Sequence, residues 1–165
     1  MSADTGTMAL ADGTVLGMSP LVPSDRAAVD ALHRRCTPAT LERRYFMPLV
    51  RLSGAMFRRL ADPAYGRSVA VRDGEHIVAL AHLMVTPEDR DVGDISVLIE
   101  DAWQGRGLGS ALTRIVVEQA AALGFAGLHA DMRADNERMR AIMRSLDGAD
   151  GRAGDAELSL NWWTW

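Results

Sequence analysis

The chain contains no lysine: all 18 cationic side chains among its 165 residues are arginine. That excludes a phosphate loop of the G-x-x-x-x-G-K-[ST] kind, and it leaves no lysine to act as base or Schiff-base nucleophile. Cysteine is nearly missing too. Cys36 alone cannot close an internal disulfide, which fits a reducing compartment, and its position at the end of an amphipathic helix predicts a buried, inert thiol. No apolar run approaches the roughly 20 residues of a membrane span. The first ten residues lack a basic stretch followed by an apolar one. A cytoplasmic protein with no membrane partner is therefore expected. Positive charge is in deficit, with 18 arginines against 22 acids and a net charge of −4, which argues against a nucleic-acid partner. His33, His76, His82 and His129 do not group at metal-ligand spacing, so no metal is expected and each histidine reads as structural. His82, on an alternating strand, is the one worth testing.

What is present is ordinary for a globular chain, at 48% apolar and 24% charged. The length suits a single domain over residues 13–165, after a disordered lead at 1–12. Gly13–Met18 reads as a first edge strand closed by Pro20 and Pro23. Ser24 caps a helix carrying Ala28, Val29, Leu32 and Cys36 on one face. Pro38 starts a second helix, P-A-T-L-E-R-R-Y-F, and Ser53 a third that ends before Pro63. Arg43, Arg44, Arg51, Arg58 and Arg59 make this region basic, either as a solvated face or as a rim meeting a phosphate or a partner. From Arg67 a hairpin turns at Asp73-Gly74, and an acidic turn spans Thr86–Gly93. A strand follows at Asp94–Ile99, then a helix over Gly107–Leu123, a strand over Ala126–Met132, a helix from Asn136 to about Leu146 and a last strand at Glu157–Trp165.

The centre of the pattern is Asp94–Ser110, D-I-S-V-L-I-E-D-A-W-Q-G-R-G-L-G-S. Gly105, Gly107 and Gly109 let the backbone approach a ligand closely, and a helix N-terminus behind them favours an anion such as a pyrophosphate. A dinucleotide turn is one reading, with Asp131 placed for a ribose. Ser110 at the third small position and the intervening Glu100–Trp103 count against it.

Gln104-Gly105-Arg106-Gly107-Leu108-Gly109, after an apolar strand and before a long helix, resembles the [QR]-x-x-G-x-[GA] signature of the GCN5-related N-acetyltransferase (GNAT) family. Thr37–Phe46 and Asp101–Leu108 look most like its bacterial protein-lysine acetyltransferase branch. The resemblance implies a mixed α/β fold, with a mostly antiparallel sheet containing a splayed, bulged strand and flanked by helices. It implies acetyl-CoA as cosubstrate, held by the amides of Gln104, Gly105, Arg106, Gly107, Leu108, Gly109 and Ser110. Leu98 and Ile99 would meet the pantetheine through main-chain groups, Asn136 would hydrogen-bond to it or to a water, and an amide near Ile99 would hold the oxyanion.

Asp94 matches the family's catalytic glutamate, one methylene shorter. Glu100 is the second choice of base, and Asp101 orders the linker. Glu88, Asp89 and Asp91 would draw a cationic amine. Met143 stands where many members carry an acidic tyrosine. The implied activity is direct acetyl transfer in a ternary complex to a protein lysine or small amine. A non-catalytic acyl-CoA sensor is the alternative. Trp162, Trp163 and Trp165 fit a sheet face or a homodimer contact.

Overall fold

The computed structural model describes residues 6–48, 51–85, 91–133 and 136–147. Six strands form one sheet in chain order: β1 (Gly6–Ala9), β2 (Val15–Pro20), β3 (Gly66–Asp73), β4 (His76–Val85), β5 (Val92–Ile99) and β6 (Gly127–His129). Every neighbouring pair is antiparallel except β5–β6, which is parallel. The mixed α/β expectation holds. Within the lead expected to be disordered, Gly6–Ala9 is an edge strand, because Met8 and Leu10 are apolar side chains that the core takes in. β2 is consequently an inner strand.

Two helical layers sandwich the sheet. On one face lie α1 (Arg26–Arg35), α2 (Pro38–Tyr45) and α3 (Gly54–Ala61), over β4, β5 and β3 respectively. They cover a core of Val29, Leu32, Leu41, Phe57, Leu80 and Leu98. Ser24 does not cap α1. A 3-10 turn at Pro23–Asp25 precedes it, and the Asp25 carboxylate accepts the Val22 N–H at 3.1 Å. Thr37 and Ser53 do cap α2 and α3, their hydroxyls accepting the amides of Thr40 and Met56. α2 stops where Phe46 turns left-handed (φ 59°), its N–H returning to Glu42 O. Cys36 ends α1, and burial pushes its thiol up to about 12, which matches the inert expectation.

On the other face lie α4 (Leu108–Ala122) and α5 (Glu137–Asp147). Leu108, Leu112 and Val116 are buried on the sheet, each contributing about 1.5–3 kcal/mol as an upper bound.

The feature that positions the site is a fork. β6 pairs with β5 only from Val92 to Asp94, while β5 continues to Ile99. Ala130 and Met132 carry the chain into the α4-side core instead. The expected bulge is absent from β5, whose register against β4 is unbroken from Gly93 to Ile99. The register shift lies in β3, at Val71/Arg72. The splay comes from lost pairing, not from an extra residue. The strand expected at Glu157–Trp165, with Trp162, Trp163 and Trp165, lies outside the described residues, as do Glu88 and Asp89.

Candidate active site

The fork opens into a cleft of about 820 Å³. Its floor is Val97–Ile99, one end is the glycine turn with the start of α4, one wall is α5 from Asn136 to Ile142, and its roof is Thr40, Arg43 and Arg44 of α2.

At the glycine-turn end, Gly105 and Gly107 hold left-handed φ values of 76° and 84°, and a Cβ at either would meet nothing within 4 Å. Both conformations favour glycine, and the space beside them is open to a ligand. Gly109 differs. A Cβ there would press on Ile142 at 3.2 Å and Ile99 at 3.3 Å, so this glycine serves the close packing of α4. The Ala111 amide is the first to find an acceptor, Gly107 O at 3.1 Å. Those of Leu108, Gly109 and Ser110 come before it, at the positive end of the helix dipole. These donors and the open glycine surface fit a pyrophosphate. The Gln104 amide is already engaged with Asp101 O at 3.2 Å.

The long polar side chains of this end are tied down. Arg106 turns away from the cleft: it grips Asp12 through Nε and an η-nitrogen, at 3.0 and 2.6 Å, bonds Thr14 Oγ1, and stacks 4.4 Å from the Trp103 ring centroid. The Thr14 hydroxyl and then Arg106 hold the Asp12 carboxyl down at about 2. Gln104 Nε2 donates to Thr40 Oγ1 and Ile99 O, and its Oε1 accepts from Arg138. Asp101 collects the Thr37 amide and the hydroxyls of Thr37 and Thr40, at 2.8–2.9 Å. Burial works to raise the Asp101 pKa, but these donors outweigh it and hold the carboxyl below its usual value. The two sequence stretches Thr37–Phe46 and Asp101–Leu108 thus meet in one latch, and Asp101 does order the linker. Asn136 caps α5, its Oδ1 accepting the Met139 amide, and lines the cleft as well.

The floor strand presents its main chain by alternation. Glu100 N donates to Val78 O, so the groups of Leu98 and Ser96 also face β4, while those of Val97 and Ile99 face the unpaired edge. Ile99 and its missed neighbour Val97 therefore offer cleft-facing main-chain groups, and Leu98 contributes a buried side chain on the α1–α3 side.

Where the strands part, beyond Val97 and outside the residues that line the cleft, stands Asp94. Its side chain is 40% exposed, and His129 Nδ1 donates to its Oδ1 at 2.8 Å. His129 Nε2 is buried, 3.5 Å from Asp131 Oδ1 without a hydrogen bond. Sequence reasoning missed this pairing and singled out His82, which is buried against Ser68. Glu100 lies at the other end of β5, held by Arg35 at 2.9 Å, which removes it from the fork. The side chain of Met143 lies outside the described part of α5.

The model of the Acetyltransferase (GNAT) family matches residues 26–147. Acetyltransferase PA5475 of Pseudomonas aeruginosa is 28% identical over 159 residues, covering 88% of this chain and 81% of that protein. The GNAT domain of S. lividans PAT shares the fold with a TM-score of 0.79 at 21% identity, over 86% of this chain and 85% of that one. The ribosomal-protein-S18-alanine N-acetyltransferase of Escherichia coli gives a TM-score of 0.62 at 21% identity, over 79% and 76%. The family's shared reaction is acyl transfer from acetyl-CoA. With the family match running from α1 to the end of α5, this chain belongs to the GNAT family of acetyltransferases.

Proposed function

We propose that the protein is an N-acetyltransferase that moves an acetyl group from acetyl-CoA straight to an amine held in the same cleft. The observation that carries this reading is Asp94 at the fork, a half-exposed carboxylate oriented by His129 at the end of β5 opposite the glycine turn. Acetyl-CoA would lie with its pyrophosphate on the amides of Gly107–Ser110 and its pantetheine along the unpaired edge of Val97 and Ile99. That places the thioester towards the fork.

An amine is an ammonium near neutrality, with a pKa of about 10.4 for a lysine side chain, and must lose a proton before it attacks. Asp94 Oδ2 accepts that proton, through a water where the short side chain falls short. The His129 N–H fixes the other oxygen. The neutral amine attacks the thioester carbonyl, whose oxygen gains negative charge and is met by the main-chain N–H of Val97 or Ile99. Asp94 passes that first proton on to water, the C–S bond breaks as the thiolate takes a proton from solvent, and the amide nitrogen loses its remaining proton to the Asp94 carboxylate, which is free again.

Release of free thiol from acetyl-CoA across a panel of amines tests the reading. Turnover on at least one acceptor is expected. Acetyl-CoA binding with no turnover on any of them would leave a non-catalytic acyl-CoA sensor instead.

A further inference from the structure

The roof of the cleft holds a cation that, among the described residues, pairs with no carboxylate. Arg44, on the last turn of α2, lines the cleft. Its Nε is buried and makes no hydrogen bond, and among the described residues no carboxylate lies within ion-pair distance of its guanidinium. It stacks on the Tyr45 ring, 4.7 Å from centroid to guanidinium carbon. A cation partly withdrawn from water without a partner is unfavourable, and burial here pulls the Arg44 pKa below the ordinary arginine value.

The layer beneath Arg44 cannot supply the missing charge, because burial keeps it neutral. His33 Nδ1–H donates to Val29 O, so its Nε2 accepts the Tyr45 hydroxyl at 2.7 Å. Burial holds His33 low and Tyr45 high, which keeps both uncharged. The Ser68 hydroxyl spends its proton on Leu60 O, so His82 Nδ1–H donates to Ser68, and burial beside Arg44 holds His82 well below the usual histidine value. The open side of Arg44 is the cleft.

Along α2, Arg44 comes one turn after Thr40, which is fastened at the anion seat. The first turn of α2 is fastened at the seat through Thr40 to Asp101 and Gln104, whereas Glu42 further along bonds Arg133, just beyond β6. His82, whose titration feels Arg44, pairs across β4–β5 with Ser96, two residues past Asp94.

We propose that Arg44 anchors an anion carried by the acceptor, so that the substrate is a compact amine bearing its own carboxylate, phosphonate or phosphate. The amine faces Asp94 and the anion meets the guanidinium under α2. This rests on the transferase reading of the same cleft. An anion on a large flat surface would not reach a half-buried side chain beneath a helix, so amine and anion enter together on one small molecule.

The test compares matched acceptors in the thiol-release assay: amino acids against their carboxamides, an aminoalkylphosphonate against the corresponding amino alcohol, and a lysine peptide. Calorimetry reads acetyl-CoA binding, and separately the binding of each amine to the protein loaded with CoA. Wild type is expected to prefer the anionic amines. In Arg44→Gln their KM rises roughly 10- to 100-fold with kcat little changed, Arg44→Lys keeps part of the preference, and acetyl-CoA affinity stays within about twofold.

Equal use of carboxamides and acids by wild type, or preference for the lysine peptide, overturns the proposal. So does a fall in kcat shared by every acceptor in Arg44→Gln, which would make the guanidinium an oxyanion contact, or a loss of acetyl-CoA affinity, which would make it a donor contact. If nothing turns over, the transferase reading fails on its own. Calorimetry then still decides the anchor: anionic amines binding wild type but not Arg44→Gln uphold it, and binding to neither overturns it.

Discussion

The two ends of the cleft are built on opposite plans. At the glycine turn the long polar side chains have partners: Arg106 holds Asp12 and Thr14, Gln104 holds Thr40 and Ile99, and Asp101 holds three donors from α2. The main-chain amides at the start of α4 are left to bind. Towards the fork polar side chains are left over. Arg44 Nε in the roof and His129 Nε2 at the fork are buried with no hydrogen bond, and Asp94 has one carboxylate oxygen bonded to His129. A surface of fixed backbone suits a ligand that never changes. Orphaned side chains suit a variable ligand whose own groups complete them, and buried orphans of this kind call for a functional explanation.

The sharpest break of this contrast is Gly107→Val. A β-branched residue at φ 84° is strained, and the turn that presents the amides has to move. Calorimetry should show acetyl-CoA affinity falling by about 100-fold or more in a protein of unchanged circular dichroism. Retained affinity would take the donor seat away from this turn. Asp94→Asn strikes the other end alone: turnover should drop on the order of 100-fold with acetyl-CoA affinity intact. Unchanged turnover would dismiss Asp94 as the base.

Asp101→Asn probes the latch joining the ends and should lower stability by about 1–2 kcal/mol in denaturant titration. Its pH signature is specific. The folded pKa of Asp101 lies below the ordinary 3.8, so its stabilisation is complete above that value and fades as pH falls through the folded pKa. The variant should lose this part of the acid sensitivity, and an identical acid profile would show that the latch carries no charge-dependent stability. The smallest effect belongs to Arg106→Met, since an ion pair with an exposed partner contributes little: acetyl-CoA affinity should stay within about twofold. A larger loss would mean that the guanidinium reaches the ligand after all.

Much of the site was legible in the sequence because it is contiguous. The strand, the glycine turn and the helix from Asp94 onward follow one another in the chain, so local conformational rules and the GNAT resemblance together locate the anion seat and the carboxylate. The remainder depends on register and distance. Asp101 meets residues 61–64 positions away, and Arg106 meets Asp12 across 94. Neither is visible to a local pattern. Choosing Val97 over Leu98 required knowing which β5 amides point at β4, a one-residue matter that composition does not encode. His129 looked structural because its partner belongs to the neighbouring strand. β1 was lost because Gly6–Ala9 is small and polar apart from Met8, and pairing with β2, not propensity, makes it a strand.

The latch has a consequence for how this scaffold tolerates redesign. α2 is a beam fastened near both ends, with Thr37 and Thr40 bolted to the Asp101 linker, Glu42 to Arg133 and Tyr45 to His33. Substitutions at the positions between and beyond these fastenings alter what the roof offers while the bolts hold its height above the floor. A library confined to positions 43, 44 and 46 should therefore change acceptor choice without loosening the grip on the donor.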